Sequence, residues 1–426
     1  MLDAGNATLY LPSSQENRVT LTLLIDLDDT LLANSMDCFI PAYLKRLGDS
    51  LTDVLPADQL VDTLLAATEK MFANQRPDRT LEETFNAHFF GQLPVDAETL
   101  LPYINRFYQD VFPKLAELTH PKPQAVELVQ HALQRNYPVG IATNPLFPRT
   151  AIMQRLAWAD LDPDTYSFAL IPSMETFHFA KPNPAYFAEF LGRLGWPEGP
   201  VLMVGNDLDH DVRGAREMGL AVFWIAEHDA AIPAGVPAPS ARGCLDDVLP
   251  WVDTVDPEVL QPDYNSPSAI TATLRGGAAA LQGLARDFPR HLWDECPQPD
   301  EWCLSSIFCH LRDVEREVNL LRIQSITTQK NPFIHGVDTD AWAEERSYKN
   351  QDGAKALQDF LNTRLDTLAL LDSLTPDGWE RPARHTIFGP TTLIELAAIM
   401  AEHDRLHLRQ VMETIQTIWE TVQSQR

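Results

Sequence analysis

Short apolar segments alternate with amphipathic segments over the first 252 residues, and this alternation constrains the fold more than any other feature. Five of the apolar segments have the composition of buried strands, namely VTLTLLIDL, YPVGIATN, YSFALIPS, PVLMVGND and LAVFWIA. Strands that alternate with helices indicate a parallel α/β sheet. The first two segments are separated by four helical patterns, at 36–47, 56–73, 80–90 and 97–112. We therefore predict an α/β domain with a helical subdomain inserted directly after its first strand.

The second half of the chain has a different pattern. A polar stretch, DTVDPEVLQPDYNSPS, contains three Asp and three Pro and is typical of a linker. After it the strand patterns end, and helical periodicity occurs at 269–288, 303–327, 352–374 and 392–423. Four such helices with connections of unequal length suggest a four-helix bundle. The predicted fold class is therefore α/β plus all-α.

We expect two domains, each with its own core. The first is predicted to span 1–254, with a core at 1–33 and 115–254 and the helical insert at 34–114. A linker at 255–266 and a bundle at 267–426 complete the predicted organisation.

Charge and cysteine content exclude several classes of protein. The chain has 33 basic and 60 acidic residues and a net charge of −27, which argues against binding to nucleic acid or to an anionic membrane surface. Its five cysteines are scattered and odd in number, as in proteins of a reducing compartment. We find neither a run of the ~20 apolar residues that a membrane span requires nor the pattern of a signal peptide. We therefore expect a cytoplasmic protein.

The stretch LIDLDDTLL places carboxylates directly after the first predicted strand. Asp26 and Asp28 are two residues apart on an extended segment, so their side chains lean to the same side. Carboxylates at the end of a parallel strand suit a divalent cation between protein and substrate. Asp26 could then serve as a nucleophile and Asp28 as a general acid and base. The alternative is a pair of residues that cap the turn before a helix.

Other predicted strands also end in polar residues. Thr143 ends the strand in IATN, and Lys181 precedes a helix that begins with prolines in AKPNPAYF. The strand in MVGNDLDHDVRGA ends in an acid cluster of Asp207, Asp209 and Asp211. An aspartate, a hydroxyl, a lysine and an acidic cluster, each at a strand end, form one constellation.

In these motifs, residues 19–254 resemble the haloacid dehalogenase-like (HAD) superfamily of hydrolases. The resemblance implies a Rossmann-like core with a helical cap, Mg²⁺ as cofactor and an aspartyl-phosphate intermediate. Asp26 would be the nucleophile and a metal ligand, and Asp28 would protonate the leaving group, activate the water and offer its backbone carbonyl to the metal. Thr143 and Lys181 would hold the transferring phosphoryl oxygens, with Lys181 also offsetting the charge of Asp26.

The sequence departs from the family pattern after Gly205. The family often has Gly-Asp there, whereas this chain has Asn206 followed by Asp207. Either residue could fill the first acidic position, and we favour Asp207 and Asp211 as residues of the metal site. The third acid of the opening stretch, Asp29, we expect to be structural.

The reaction class follows from the resemblance. Dehalogenases of the family lack an acid two residues after the nucleophile, whereas phosphatases have one, here Asp28. We therefore expect a phosphoric monoester hydrolase, with a phosphomutase as an alternative. Caps inserted after the first strand close over small substrates, so the expected substrate is a small phosphorylated metabolite.

Three histidines in the second half suggest a second metal site. His403 and His407 lie four residues apart on a predicted helix and hence on one face, the spacing at which helical histidines chelate transition metals. His310, on the second bundle helix, could add a third ligand. One alternative is that the histidine pair faces solvent and binds no metal, and another is a zinc site that includes Cys303 and Cys309. Their spacing of six is longer than structural zinc sites use.

The segments PDEWCLSSIFCHLRDVE and EHDRLHLRQ resemble the DinB-like family over residues 266–426. The resemblance implies a four-helix bundle that binds Zn²⁺ or Ni²⁺ through His310, His403 and His407, and a homodimer through the bundle is a further expectation. Some relatives are thiol-dependent transferases or isomerases. Two other hypotheses therefore stay open: a metal-binding or partner-binding protein with a regulatory HAD domain, and a DinB-like thiol-dependent transferase fused to a hydrolase.

Overall fold

A computed structural model describes residues 20–424. The predictions about the first 19 residues, including the absence of a signal peptide, lie outside the described residues, as do the outer ends of the two predicted domains. Within residues 20–424, no helix combines the length and the apolar composition that crossing a bilayer requires. The domain limits predicted from the sequence stay a prediction.

The first half contains the predicted parallel sheet. Its strands, together with those of a small two-stranded sheet, are β1 (Thr22–Ile25), β2 (Leu32–Ala33), β3 (His120–Pro121), β4 (Val139–Ile141), β5 (Val201–Gly205), β6 (Ala221–Ile225) and β7 (Ala241–Gly243). The large sheet has the order β4-β1-β5-β6-β7, and each neighbouring pair is parallel. Every residue of β1 is buried, because the strand lies between β4 and β5 with helices on its faces.

The order of the strands determines where a site can form. The chain leaves β1, returns as β4 on one side of it, and then crosses to β5 on the other side. Leu23 of β1 is in register with Val139 of β4 and with Leu202 of β5. In open parallel sheets, ligands bind outside the carboxyl ends of strands at such a reversal of direction. The residues that follow β1, β4 and β5 therefore meet at one edge.

Two strand predictions need correction. The segment YSFALIPS is not a strand, since it contributes a single bridge between Leu170 and Gly140. Its apolar side chains, such as Phe168 and Ile171, instead pack against the core beneath the sheet. Conversely, the last strand of the sheet, β7, has the sequence ARG and carries no apolar pattern that would have predicted it.

The helical insert lies where the sequence predicts it. Its helices are α1 (Met36–Leu51), α2 (Ala57–Phe72), α3 (Leu81–Gln92) and α4 (Ala97–Arg106), the last continuing as irregular helix through Leu118. Aromatic side chains join the insert to the sheet domain. Phe112 stacks on Trp158 at a centroid distance of 5.3 Å, and Tyr43 meets Phe147 edge-on at 5.2 Å. The helices that accompany the sheet are α5 (Pro123–Gln134), α6 (Arg149–Trp158), α7 (Pro184–Arg193), α8 (Gly214–Glu217) and α9 (Val248–Thr254).

The second half is the predicted bundle with one addition. Its helices are α10 (Pro267–Asp287), α11 (Leu304–Val314), α12 (Leu320–Thr328), α13 (Trp342–Glu345), α14 (Gly353–Asp372), α15 (Pro376–Trp379) and α16 (Leu393–Ser424). A short irregular turn of helix joins α11 to α12. The expectation that strands end before the bundle is wrong, because β8 (Phe333–Ile334), β9 (Pro382–His385) and β10 (Gly389–Thr392) form a small sheet beside it.

One hydrophobic cluster spans the two halves, and each half also has at least one cluster of its own. Nine of the ten residues of α7 are buried, and the helix packs directly against α10 of the bundle. A Cβ on Gly192 would lie 2.6 Å from the Cβ of Ala280, and a Cβ on Gly276 would lie 2.5 Å from the carbonyl oxygen of Ala185. Such close approach of two helices requires glycine at the contact. The halves therefore form one packed unit.

Candidate active site and metal centre

Lys181 lies between two carboxylates at the carboxyl edge of the sheet. Its Nζ is 2.7 Å from Oδ1 of Asp26, which follows β1, and 2.6 Å from Oδ1 of Asp211, which follows β5. All three residues are buried. The two carboxylates raise the pKa of Lys181 although burial opposes this. The structure thus brings together three of the predicted site residues, whose catalytic roles stay predictions.

The charges of this group favour a bound cation. Burial, together with the neighbouring Asp211 and Asp28, raises the pKa of Asp26 to about 7 against the opposing effect of Lys181. A divalent cation would stabilise the ionised carboxylate, which is the form that can act as a nucleophile. Oxygen ligands from carboxylates are also those that Mg²⁺ prefers. The donor set therefore fits Mg²⁺.

Asp28 is held by residues from three elements. Nη1 of Arg155, in α6, lies 2.7 Å from both carboxylate oxygens, and Nδ2 of Asn34 donates to Oδ1 at 2.7 Å. Thr143 after β4 donates its hydroxyl to Oδ2 of Asp28 at 3.4 Å. The hydroxyl that was expected to hold a phosphoryl oxygen thus contacts the predicted acid and base in this structure.

Arg155 was missed by the sequence analysis. The residue is fully buried, and its guanidinium also lies 4.6 Å from the centroid of the Phe147 ring. A signal was present, because Arg155 falls on the apolar face of α6 that includes Ile152 and Leu156. A charged residue within an apolar stripe needs a buried partner of opposite charge. The sequence does not say which carboxylate that partner is.

The residues of the acidic loop after β5 make different contacts. Oδ1 of Asp207 accepts hydrogen bonds from the backbone of Asp209 and His210, both at 2.8 Å, and so caps the following helix. A hydrogen bond from the His210 side chain lowers the pKa of Asp207. Asn206 instead lines the cavity beside Asp26, and its Oδ1 accepts the hydroxyl of Thr30 at 2.9 Å. Which of Asn206 and Asp207 fills the first acidic position stays open.

Asp29 has the structural role that the sequence suggested. Its φ of 57° is left-handed, and its carboxylate accepts the backbone N–H of Asn34 at 3.0 Å. Oδ1 of Asn34 accepts the N–H of Asp29 in return. This reciprocal pair closes the turn that carries Asp28.

A cavity of about 2250 Å³ lies above these residues. Asp26, Asp28 and Lys181 line one end of it. Helices α1 to α4 of the insert form much of its wall, largely with apolar side chains. The predicted nucleophile therefore faces an enclosed space between the sheet and the insert.

The three predicted histidine ligands converge. Nε2 of His403 lies 3.2 Å from Nε2 of His310 and 3.2 Å from Nε2 of His407. Three nitrogens that each lie about 2.1 Å from one metal ion would have such separations. Among residues 20–424, these histidines are the group of three or more potential ligands whose donor atoms lie within 4.8 Å of one another.

Their surroundings favour neutral imidazoles that point inward. Burial and the neighbouring histidines lower the pKa of His310 to about 3 and that of His407 to about 4. Nδ1 of His407 contacts Oε1 of Gln410 at 2.8 Å, which directs its Nε2 toward the other two rings. The residues therefore fit a divalent transition metal. Cys303 and Cys309 are buried nearby but do not belong to the group.

His178 is buried where the two halves meet. Its Nδ1 lies 2.7 Å from Oε1 of Glu189 in α7, and its Nε2 contacts Oε1 of Gln282 in α10. The carbonyl of His178 accepts Nδ2 of Asn74 from the insert at 2.7 Å. The loop that leads to Lys181 is therefore tied to α7, the insert and the bundle.

Comparison with known proteins agrees with this division of the chain. Residues 20–219 match the family model of the haloacid dehalogenase-like hydrolases, and residues 273–411 match that of the DinB superfamily. Each half of the chain thus matches the model of a different family. The parallel sheet and the bundle are the folds that the two resemblances implied.

Two curated relatives and one solved structure illustrate the similarity. The chain is 32% identical to a pyrimidine 5′-nucleotidase of Escherichia coli over 29% of its own length and 52% of that protein. It is 27% identical to a phosphoglycolate phosphatase of Mesorhizobium japonicum over 48% of its length and 81% of that protein. The chain thus spans about half of the nucleotidase. The solved structure is that of YfiT of Bacillus subtilis, which is described as a probable metal-dependent hydrolase with an unusual four-helix bundle topology. It matches 36% of this chain and 87% of its own chain, with 20% identity and a TM-score of 0.32.

Proposed function

We propose that this HAD-like hydrolase is a Mg²⁺-dependent phosphatase that acts on a small phosphorylated metabolite through an aspartyl-phosphate. The observation that carries the proposal is the buried group of Asp26, Lys181 and Asp211 at the cavity floor, with Asp28 two residues after the nucleophile. Both curated relatives are named for the hydrolysis of phosphate monoesters. Mg²⁺, when bound, would supply positive charge beside the transferring phosphoryl group.

The chain's own residues divide the reaction into two steps. A carboxylate oxygen of Asp26 attacks phosphorus, and the ester oxygen leaves with a proton from Asp28. A water molecule then attacks the phosphorus of the acyl phosphate, gives a proton to Asp28, and releases phosphate and free Asp26. The ion pair with Arg155 fixes the orientation of the Asp28 carboxylate for both steps. Lys181 holds Asp26 in place through both steps.

The substitution Asp26→Asn tests this proposal. Loss of a covalent nucleophile costs on the order of 10⁴–10⁶ in turnover in comparable hydrolases, so phosphate release with Mg²⁺ should fall to background. Asp29→Asn is the matched control, because asparagine tolerates the left-handed backbone and keeps an acceptor for Asn34. An Asp26→Asn variant that retains a substantial part of wild-type turnover would exclude the aspartyl-phosphate route.

We further propose that the bundle binds one divalent transition metal, such as Zn²⁺ or Ni²⁺, through His310, His403 and His407. Support comes from the convergence of the three Nε2 atoms and from the burial that lowers the pKa of His310 and of His407. Protein purified without chelators should contain about one such ion per chain. His403→Ala should remove most of it, whereas alanine at the exposed His335 should not. Equal metal content in both variants would contradict the triad.

A further inference from the structure

The bundle forms part of the wall of the active-site cavity. Besides residues of the sheet edge and the insert, five bundle residues line it: Arg286, Asp287, Pro289, Trp419 and Gln423. The first two end α10, and the last two lie near the end of α16. We propose that Arg286 and Trp419 determine which phosphomonoesters the hydrolase accepts, by binding the end of the leaving group distal to the phosphate. The proposal rests on the phosphatase function proposed above.

The size of the cavity supports a long substrate. Pockets for small molecules usually have volumes of about 300–1,000 Å³, whereas this cavity measures about 2250 Å³. Phosphate chemistry needs only the end where Asp26 and Lys181 lie. A short phosphorylated acid would leave most of the remaining space to water, and a longer leaving group would extend toward the bundle.

Buried contacts hold the bundle wall in place. Arg193 of α7 forms an ion pair with Asp287, and their side chains are only 6% and 10% exposed. Gln282, one turn before Arg286, donates its Nε2 to the carbonyl of Asp78 in the insert at 3.2 Å. The wall thus has a defined position relative to both the sheet and the insert, as a specificity determinant requires.

Arg286 brings a positive charge to a largely acidic cavity. Its side chain is 41% exposed, and Nη2 donates to the carbonyl of Thr176, also in the cavity wall, at 3.4 Å. Burial and Glu175 raise the pKa of Glu82, another lining residue, and the charge of Arg286 opposes this rise. A guanidinium has five donor hydrogens in a planar fork, so Arg286 can also donate to ligand oxygens.

Trp419 adds a flat apolar surface to the same wall. Its ring meets that of Phe288 at a centroid distance of 6.3 Å and an angle of 58°, which limits its rotation. A tryptophan ring and a guanidinium that line the same cavity suit a planar group that carries oxygen acceptors. The expected substrates are therefore phosphomonoesters with a long leaving group that ends in such a ring, in preference to short phosphorylated acids.

The test compares two probes on the full chain with Mg²⁺. Uridine 5′-monophosphate has a long leaving group with a planar, oxygen-bearing ring, and phosphoglycolate has a short one. We expect Trp419→Ala and Arg286→Gln each to lower kcat/KM for the nucleotide by about tenfold, mainly through KM, and to leave kcat/KM for phosphoglycolate unchanged. Arg286→Lys should recover part of the loss. Arg290→Gln is the matched control, because Arg290 lies four residues further on and outside the cavity.

The possible outcomes separate the two proposals. A wild-type chain that hydrolyses neither probe nor any other member of a phosphomonoester series would refute the phosphatase and this inference together. An active wild type whose variants lose activity on both probes equally, or on neither, would refute the inference alone. If Trp419→Ala does not fold, Trp419→Phe can replace it, because it keeps a ring against Phe288. Trp419→Phe should also lower kcat/KM for the nucleotide relative to phosphoglycolate, but by a smaller factor.

Discussion

Replacing Gly276 by alanine should destabilise the whole molecule. Gly276 lies in the middle of α10, where that helix crosses α7. A Cβ at this position would lie 2.5 Å from the carbonyl oxygen of Ala185, 2.6 Å from Cβ of Ala188 and 2.6 Å from the backbone nitrogen of Glu189. Two of these atoms belong to the backbone of α7, so no side-chain rotation can relieve the contact. The two helices would have to move apart.

The expected magnitude is the difference between two opposing effects. Alanine is favoured over glycine within a helix by about 0.5–1 kcal/mol. Overpacking of a close contact costs about 1–3 kcal/mol, and contacts with backbone belong at the upper end. The net loss should thus be about 1–2 kcal/mol, which lowers Tm by a few degrees in a protein of this size.

Thermal unfolding of two matched variants measures this effect. Gly91 also lies within a helix, α3, but a Cβ there would meet nothing within 4 Å. Gly91→Ala should therefore raise Tm slightly, while Gly276→Ala lowers it. Because one hydrophobic cluster spans the two halves, Gly276→Ala should still unfold in a single transition. The same change of Tm in both variants, or separate transitions for the two halves, would refute the shared cluster.

Three other perturbations follow from the sites. Lys181→Met leaves two buried carboxylates without their cation, so it should lower the free energy of unfolding in urea by about 3–5 kcal/mol and abolish phosphate release. An unchanged free energy of unfolding would contradict the two ion pairs. Asp28→Asn removes the proposed acid and base, so kcat should fall more for poor leaving groups than for activated aryl phosphates, which need little proton assistance; equal losses would remove Asp28 from proton transfer. Because the pKa values of His310 and His407 are lowered, protons compete only weakly with the metal for these two ligands. The metal content should therefore persist to about pH 5 and fall as the pH approaches those pKa values. Loss of the metal near pH 6.5 would contradict this expectation.

Residues at strand ends were predictable because parallel topology brings them together. Asp26 and Asp211 come after β1 and β5, so the sheet places both at one edge, whereas Lys181 reaches them from the loop before α7. The positions of His403 and His407 likewise follow from the helical repeat. The apolar pattern of the strands, the helical repeat and the meeting of parallel strand ends at one edge were sufficient to predict these positions.

Contacts that depend on the packing of distant elements could not be predicted. Arg155 was visible as a charge on an apolar face, but its pairing with Asp28 depends on how α6 packs against the sheet. Small residues such as Gly192 and Ala280 form the contact between α7 and α10. Their positions in the sequence do not indicate which helix they pack against. YSFALIPS was predicted as a strand because its apolar residues do pack against the core, but its pairing with β4 stops at a single bridge.

Charge explains why the active site needs a cation besides its bases. A chain with a net charge of −27 repels a phosphate dianion, so phosphate must be held by local positive charge. Lys181 already bridges Asp26 and Asp211, and Arg155 already faces Asp28, so three carboxylates outnumber these two bases. An arriving phosphoryl group would add further negative charge to that surplus. We infer that a divalent cation at this edge of the sheet is required both to keep Asp26 ionised and to make phosphate binding favourable.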